Sequence, residues 1–183
     1  MNVMVTGSHG FLGQKLIYKL CDESHEFACF DLQIGASVLD VDSVNSFVKD
    51  SDVVVHAAAV ADLYEADKAL LKTAEVNIMG TANIANACQK YNKRLVYIST
   101  CCAYGNQKIR DRATNEEDKE WPTEMYAASK LAGENVIHGY AASGGLEYVI
   151  LRLATFYGPS MRKSLAIYRF FDQALSDSPI TID

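Results

Sequence analysis

Apolar and polar positions along the chain change in blocks, and the blocks alternate between two periods. "VMVTG" at Val3–Gly7 is a short unbroken apolar run, which reads as a buried strand. "FLGQKLIYKLCDE" follows, with Leu12, Leu16, Ile17 and Leu20 on one helical face. "EFACFD" reads as a second strand and "VDSVNSFVKD" as a short helix that Asp42 or Ser43 can cap. "DVVVHAAA" is a third strand; its apolar run does not alternate, as expected when both faces of a sheet are covered. A long helix is predicted from about Ala66 to Tyr91, then the strand "RLVYIST". A polar loop runs from about Gly105 to Trp121, then the helix "TEMYAASKLAGENVIHGYAAS" and the strand "LEYVILRLA". A last helix, about Leu165 to Ser176, leads into a short extended tail. This β-α repetition predicts an α/β fold of Rossmann type: a doubly wound parallel sheet with helices on both faces.

Composition narrows the class. The chain has 183 residues, enough for one substantial core, and 49% of them are hydrophobic against 22% charged. The formal net charge of −6 argues against nucleic acid or an anionic membrane as the main partner. No apolar run reaches the length of a membrane span, and the N-terminus enters a strand pattern without a secretory signal. Cys21, Cys29, Cys88, Cys101 and Cys102 show no metal-ligand spacing, and the adjacent pair is not a redox C-x-x-C. A reduced, cytoplasmic protein with no metal site is expected.

Three glycines, Gly7, Gly10 and Gly13, lie between the first strand and the first helix. Gly7 can make the tight turn, Gly10 lets a pyrophosphate approach the backbone, and Gly13 lets the helix pack closely. The helix start then offers free N–H groups and a positive dipole end to the phosphates. The spacing is G-x-x-G-x-x-G rather than the commoner G-x-G-x-x-G, and a plain turn is the competing explanation. His9 reads as an exposed turn residue. Asp31 ends the second strand, where a carboxylate can accept hydrogen bonds from both hydroxyls of an adenosine ribose and repel a 2′-phosphate. No Arg or Lys stands at positions 32–34, so NAD is favoured over NADP.

"YAASK" places Tyr126 and Lys130 one helical turn apart on the same side. A phenol ordinarily titrates near pH ~10; a nearby ammonium, helped by an oxidised nicotinamide, would lower that value. Tyr126 can then exchange a proton with a substrate hydroxyl while hydride moves to or from the nicotinamide. Lys130 can also donate to the nicotinamide ribose.

With these elements in order the chain resembles the extended short-chain dehydrogenase/reductase family, in particular its NAD-dependent epimerase/dehydratase group acting on nucleotide sugars. The matching stretches are "TGSHGFLG", Asp31, "LDV", "HAAA", "NIMGT", "VYISTCCAYG", "YAASK" and "LRLATFYGP", spread over essentially the whole chain. The resemblance implies that backbone groups of Gly10, Phe11 and Leu12 meet the pyrophosphate and that Asp40 and Val41 flank the adenine; a helix-capping role is the alternative for Asp40. It implies that Ala57, Ala58 and Ala59 line the cofactor groove and that Asn77 lies near the cofactor, bonding within its own helix being the alternative. His56 reads as a packing residue. Thr100 matches the Ser/Thr that hydrogen-bonds the reacting hydroxyl, giving the triad Thr100–Tyr126–Lys130, with Ser99 a weaker candidate.

Two departures bear on function. Cys101 and Cys102 stand where dehydratases of the family resemble an acidic pair, which disfavours water elimination; the thiols can be small packing residues or a redox switch. Thr155 replaces an Asn that in many epimerases contacts the diphosphate. Family members also continue much further after "YGP", so the resemblance implies an NAD-binding domain over 1–158 and the start of a substrate lobe over 159–183. Met161 and Arg162 can begin the substrate site, Arg162 as a phosphate contact or a solvated surface residue. The reading that follows is a nucleotide-sugar epimerase; an NAD-dependent reductase or dehydrogenase and a non-catalytic NAD-binding module stay open. The two long helices match the pair that forms a four-helix interface in family dimers, so a homodimer is expected.

Overall fold

A computed structural model describes residues 1–105 and 112–180. Five parallel strands form one sheet in the spatial order β2-β1-β3-β4-β5: β1 (Asn2–Thr6), β2 (Glu26–Phe30), β3 (Val53–His56), β4 (Arg94–Thr100) and β5 (Tyr148–Leu153). Between them run α1 (Phe11–Asp22), α2 (Val41–Lys49), α3 (Leu63–Lys68), α4 (Leu70–Ala74), α5 (Gly80–Lys90) and α6 (Met125–Gly144); α7 (Ala166–Leu175) follows β5. The main core sits under α2, α5 and α6, where Met4, Phe30, Val54, Leu95 and Tyr97 meet Val44, Val48, Ile84, Cys88 and Ile137. Helix α1 packs on β1 and β2, and Val3 and Val5 are buried outside that cluster, so β1 is covered on both faces. That is why its apolar run does not alternate.

The strand order reverses between β1, whose chain continues to β2 on one side, and β3 on the other. Such a reversal opens a crevice beyond the carboxyl ends of the strands. Gly7 stands at that point with φ +67°, and a Cβ there would press on the backbone of Ala57 and Ala58, so only glycine fits. A Cβ on Gly13 would overlap the Gly7 carbonyl oxygen and the Ser8 backbone. Gly13 therefore closes the helix start onto its own loop rather than onto the strands.

The expected single helix from Ala66 to Tyr91 is corrected in two places. At Ala69 the backbone leaves helical geometry (φ −124°, ψ 57°). The Thr73 hydroxyl donates to the Ala66 carbonyl (3.2 Å), the acceptor that the Leu70 N–H would use in an unbroken helix. Beyond α4, residues Glu75–Met79 form a π-helical turn that continues into α5. The cap of α2 is also corrected: it is Asp40, whose Oδ1 accepts from the N–H groups of Asp42 (3.1 Å) and Ser43 (3.2 Å). Parts of the predicted polar loop and of the tail lie outside the described residues. Among the described residues no helix is long and apolar enough to cross a membrane, and no cluster of three or more His, Cys, Asp or Glu can hold a metal ion.

Candidate active site

Most predicted site residues outside the helices lie at the carboxyl end of a strand or just beyond it. Gly7 follows β1, Asp31 follows β2, Ala57–Ala59 follow β3, and Thr100 ends β4. Parallel strands of similar length bring these ends to one edge of the sheet.

The glycine loop fits a dinucleotide diphosphate. Helix α1 opens at Gly10 with no side-chain cap, so the N–H groups of Phe11 and Leu12 are left for a ligand. The loop is braced from below: the Gly7 N–H donates to the Phe30 carbonyl (2.8 Å) and the Gly10 N–H to the Gly7 carbonyl (3.0 Å). Asp31 braces it from the side, its Oδ2 accepting from the His9 N–H (2.9 Å) and its Oδ1 from the Gln33 N–H (2.9 Å). Each oxygen keeps a lone pair for a ribose hydroxyl. His9 is half-buried rather than exposed, and its ring shares a proton with the Ser8 hydroxyl. Asp40 combines its capping role with an exposed position beside Val41, the first residue of α2. Phe11 stacks on Phe156 (5.4 Å between centroids), closing a cavity of about 710 Å³ whose other walls include Leu12, Lys15, Tyr157 and Pro159. None of the triad residues lines that cavity.

Thr100 ends β4 and Tyr126 lies in the first turn of α6, two elements that pack on one another. The Thr100 oxygen also accepts from the Cys102 N–H (3.1 Å), which fixes its rotamer. Lys130 lies one turn beyond Tyr126 and is 2% exposed, its ammonium over the Tyr97 ring at 4.0 Å. Burial pulls Lys130 down to about 7, and Glu134 opposes that. The Tyr126 phenol is raised above its usual value, first by burial and then by Cys102; Arg162 and Thr100 draw it back.

Asn77 takes a task other than bonding within its helix. From the π-helical turn its amide donates to the Val60 carbonyl (3.1 Å) and the Ser129 hydroxyl (2.9 Å) and accepts from the Val60 N–H (2.8 Å). Ser129 in turn donates to the Tyr126 carbonyl (2.8 Å). Asn77 thus ties the segment after Ala57–Ala59 to the turn of α6 between Tyr126 and Lys130. A π-turn widens the helix where an extra residue is needed, and such turns often mark functional sites.

His56 is buried as a packing residue, linking Thr6 (2.7 Å) to Thr81 (3.0 Å). Ser99 turns from the triad to the carboxylate of Glu134. Cys101 is exposed and Cys102 half-buried on the 3₁₀ turn after Thr100, and burial and Cys102 push the Cys101 thiol up, away from thiolate. Arg162 reaches back to Asp62 (3.1 Å). Sequence reasoning passed over Glu134 and Arg152; their signal was an acidic residue four after Lys130 and an arginine inside an apolar strand.

A parallel α/β sheet whose strand order reverses at an uncapped glycine loop, with Asp31 after β2 and Thr100, Tyr126 and Lys130 at β4 and α6, is a Rossmann-type arrangement. The sequence model of the NAD dependent epimerase/dehydratase family matches residues 3–182, and the chain belongs to that family. It is 28% identical over 208 residues to the uncharacterized UDP-glucose epimerase YtcB of Bacillus subtilis, covering 100% of this chain and 65% of that protein. It is 27% identical over 214 residues to the dTDP-D-glucose 4,6-dehydratase of Dictyostelium discoideum, covering 98% and 49%. Its fold superposes with a TM-score of 0.85 on UDP-glucuronic acid 4-epimerase from Bacillus cereus, solved in complex with UDP-glucuronic acid and NAD; identity is 28%, with 100% of this chain and 65% of that chain covered. The chain therefore spans about half to two thirds of the length of these relatives.

Proposed function

We propose that this chain carries the NAD-binding domain, over 1–158, and the beginning of the substrate lobe, over 159–183, of a cytoplasmic nucleotide-sugar epimerase. The observation that supports the reading is the placement of Thr100 at the end of β4, Tyr126 in the first turn of α6 and the buried Lys130 one turn further on, at the sheet edge that holds the glycine loop. Gly7, Gly10, Phe11, Leu12 and Gly13 cradle the diphosphate; Asp31 takes the adenosine ribose, Asp40 and Val41 flank the adenine, and Ala57–Ala59 line the groove. NAD, when bound, supplies the hydride acceptor and later the donor. Thr100 orients the sugar hydroxyl, Tyr126 takes its proton as the C–H bond breaks, and Lys130 holds the nicotinamide ribose. Tyr126 returns the proton after the keto-sugar has turned over, so hydride and proton are both restored and the epimer leaves. Five free thiols suit a reducing compartment. The test combines calorimetry with NAD and NADP and a turnover assay on a panel of nucleotide sugars, followed by product analysis and by reduced-nicotinamide absorbance. NAD is expected to bind more tightly than NADP, and one sugar is expected to be epimerised. Equal or tighter NADP binding rejects the role of Asp31; tight NAD binding without turnover of any sugar favours a binding module.

We further propose a homodimer through the 66–91 segment and α6. Leu70, Leu71 and Met79 are exposed apolar residues on that segment, and Ala128 is exposed on α6, so both offer apolar surface to a second copy. Light scattering over a micromolar concentration series is expected to give twice the monomer mass; a strict monomer throughout rejects the interface.

A further inference from the structure

Arg152 stands on β5 with its side chain only 15% exposed, and all its side-chain partners come from other elements. Nε donates to both carboxylate oxygens of Glu134 on α6, at 3.0 and 3.2 Å. Nη2 donates to Glu134 (2.6 Å) and to Glu120 (2.6 Å), which precedes α6. Nη1 donates to the Tyr104 hydroxyl (2.7 Å), and the guanidinium centre lies 4.9 Å from the centroid of that ring. Glu134 also accepts from the Ser99 hydroxyl on β4. A planar guanidinium can serve three acceptors in fixed directions; a lysine ammonium offers no such fork.

The cluster grips the chain on both sides of Thr100. Ser99 precedes Thr100 and is held by Glu134; Tyr104 closes the 3₁₀ turn Cys101–Tyr104 that Thr100 caps, and is held by Arg152. Within that turn the Cys102 N–H donates to the Thr100 hydroxyl oxygen (3.1 Å). The Glu120 arm reaches the other side of the site. Trp121, next in sequence, donates its N–H to the Ala103 carbonyl (2.9 Å), and its own carbonyl oxygen leaves no room for a Cβ on Gly105. The chain then enters α6 at Met125, and the first turn of that helix carries Tyr126. One guanidinium thus joins the strand end that presents Thr100, the turn after it and the chain that leads to Tyr126. Exposed ion pairs hold little, but this one is largely withdrawn from water and its hydrogen bonds are charge-assisted.

We propose that Arg152 is a positioning residue: through Glu134, Tyr104 and Glu120 it fixes Thr100 against the first turn of α6. It acts through these partners and not on the reacting atoms. The purpose of a fixed Thr100, orienting a sugar hydroxyl beside Tyr126, rests on the epimerase reading. The anchoring itself is measurable without cofactor or substrate.

The experiment compares Arg152→Lys, which keeps a cation beside the buried Glu134 but loses the fork, with Tyr104→Phe, which removes one arm and keeps the ring. Amide hydrogen exchange followed by NMR reads the Cys102 N–H, the donor to Thr100. Its exchange is expected to quicken about tenfold in both variants, the scale of one lost hydrogen bond to a charged group. The Leu95 N–H, bonded to the Glu147 carbonyl near the other end of β4 (2.9 Å), is expected to exchange as in the wild type. The double variant is expected to match Arg152→Lys, because both changes cut the same chain of contacts. In the turnover assay Arg152→Lys is expected to lower kcat about tenfold, with KM and NAD affinity nearly unchanged. A general loss of structure would instead quicken both amides and weaken NAD binding along with the rate. Unchanged exchange at Cys102, equal acceleration at Leu95, or kcat and NAD affinity falling together overturns the proposal. Should Arg152→Lys fail to fold, Tyr104→Phe and Glu120→Gln decide by the same two amides. Absence of wild-type turnover counts against the epimerase reading alone, and the exchange measurement still decides the anchoring.

Discussion

Tyr126→Phe lowers turnover by about 10²–10⁴-fold, the usual worth of a positioned general acid–base group, and leaves NAD affinity nearly unchanged. The ring still packs between β4 and α6, because only the hydroxyl is lost. Burial raises the pKa of that hydroxyl in the cofactor-free protein. On the proposed mechanism, positive charge brought by an oxidised nicotinamide would favour its conversion to a base. Lys130→Met is expected to weaken both NAD binding and rate, since one side chain serves both. Thr100→Ala is expected to reduce the rate less than Tyr126→Phe, because it orients the hydroxyl without carrying the proton. Steady-state assays on the nucleotide sugar turned over fastest, with calorimetry on each variant, measure these terms separately. Undiminished turnover by Tyr126→Phe removes the triad from the mechanism.

The parts of this site that the sequence announced are those encoded by local spacing. A glycine triplet between strand and helix, an Asp at the end of the next strand and a Tyr-x-x-x-Lys helix each need only a few consecutive positions to express their geometry. What escaped depends on side-chain hydrogen bonds, local at one place and between distant residues at the others. The break at Ala69 is made by a hydroxyl from Thr73 that competes for a helical carbonyl, and no apolar period records that competition. The π-helical turn exists where Asn77 bridges Val60 and Ser129, partners 17 and 52 residues away. Glu134 and Arg152 are 18 residues apart and pair only because α6 lies against β4 and β5. Asp40 was weighed as a cap and as an adenine neighbour; the cap is made, and it leaves the exposed carboxylate oxygen Oδ2 without a role in it.

The largest effect on stability is expected from His56. Its Nδ1 bonds the Thr6 hydroxyl and its Nε2 the Thr81 hydroxyl, inside the wall shared by β1, β3 and α5. Thr6 also accepts from the Ala58 N–H (3.1 Å), and Thr81 donates to the Asn77 carbonyl (2.6 Å), so the imidazole joins the groove-lining segment to the π-turn. Complete burial, with Lys130 nearby, pulls its pKa from 6.5 down to about 3. The folded state then binds fewer protons than the unfolded state below pH 6.5, so stability rises with pH in that range. The contribution is full above 6.5 and is lost progressively as pH falls toward 3. Glu120, held below its ordinary 4.5 by Arg152, adds its own loss only at more acid pH. Lys130 has the same sign at the other end: its penalty is complete below about 7 and is relieved as pH rises toward 10.5, so it is constant across the His56 window. Between pH 6.5 and 4.5 the unfolding free energy is therefore expected to fall by about 2–3 kcal/mol through His56, at ~1.4 kcal/mol per unit once the unfolded histidine is mostly charged. Urea unfolding at a series of pH values measures it. His56→Gln, which can still bond both threonines, is expected to be less stable at pH 7.5 and to lose that slope. An equal slope in wild type and His56→Gln shows that the acid loss arises elsewhere.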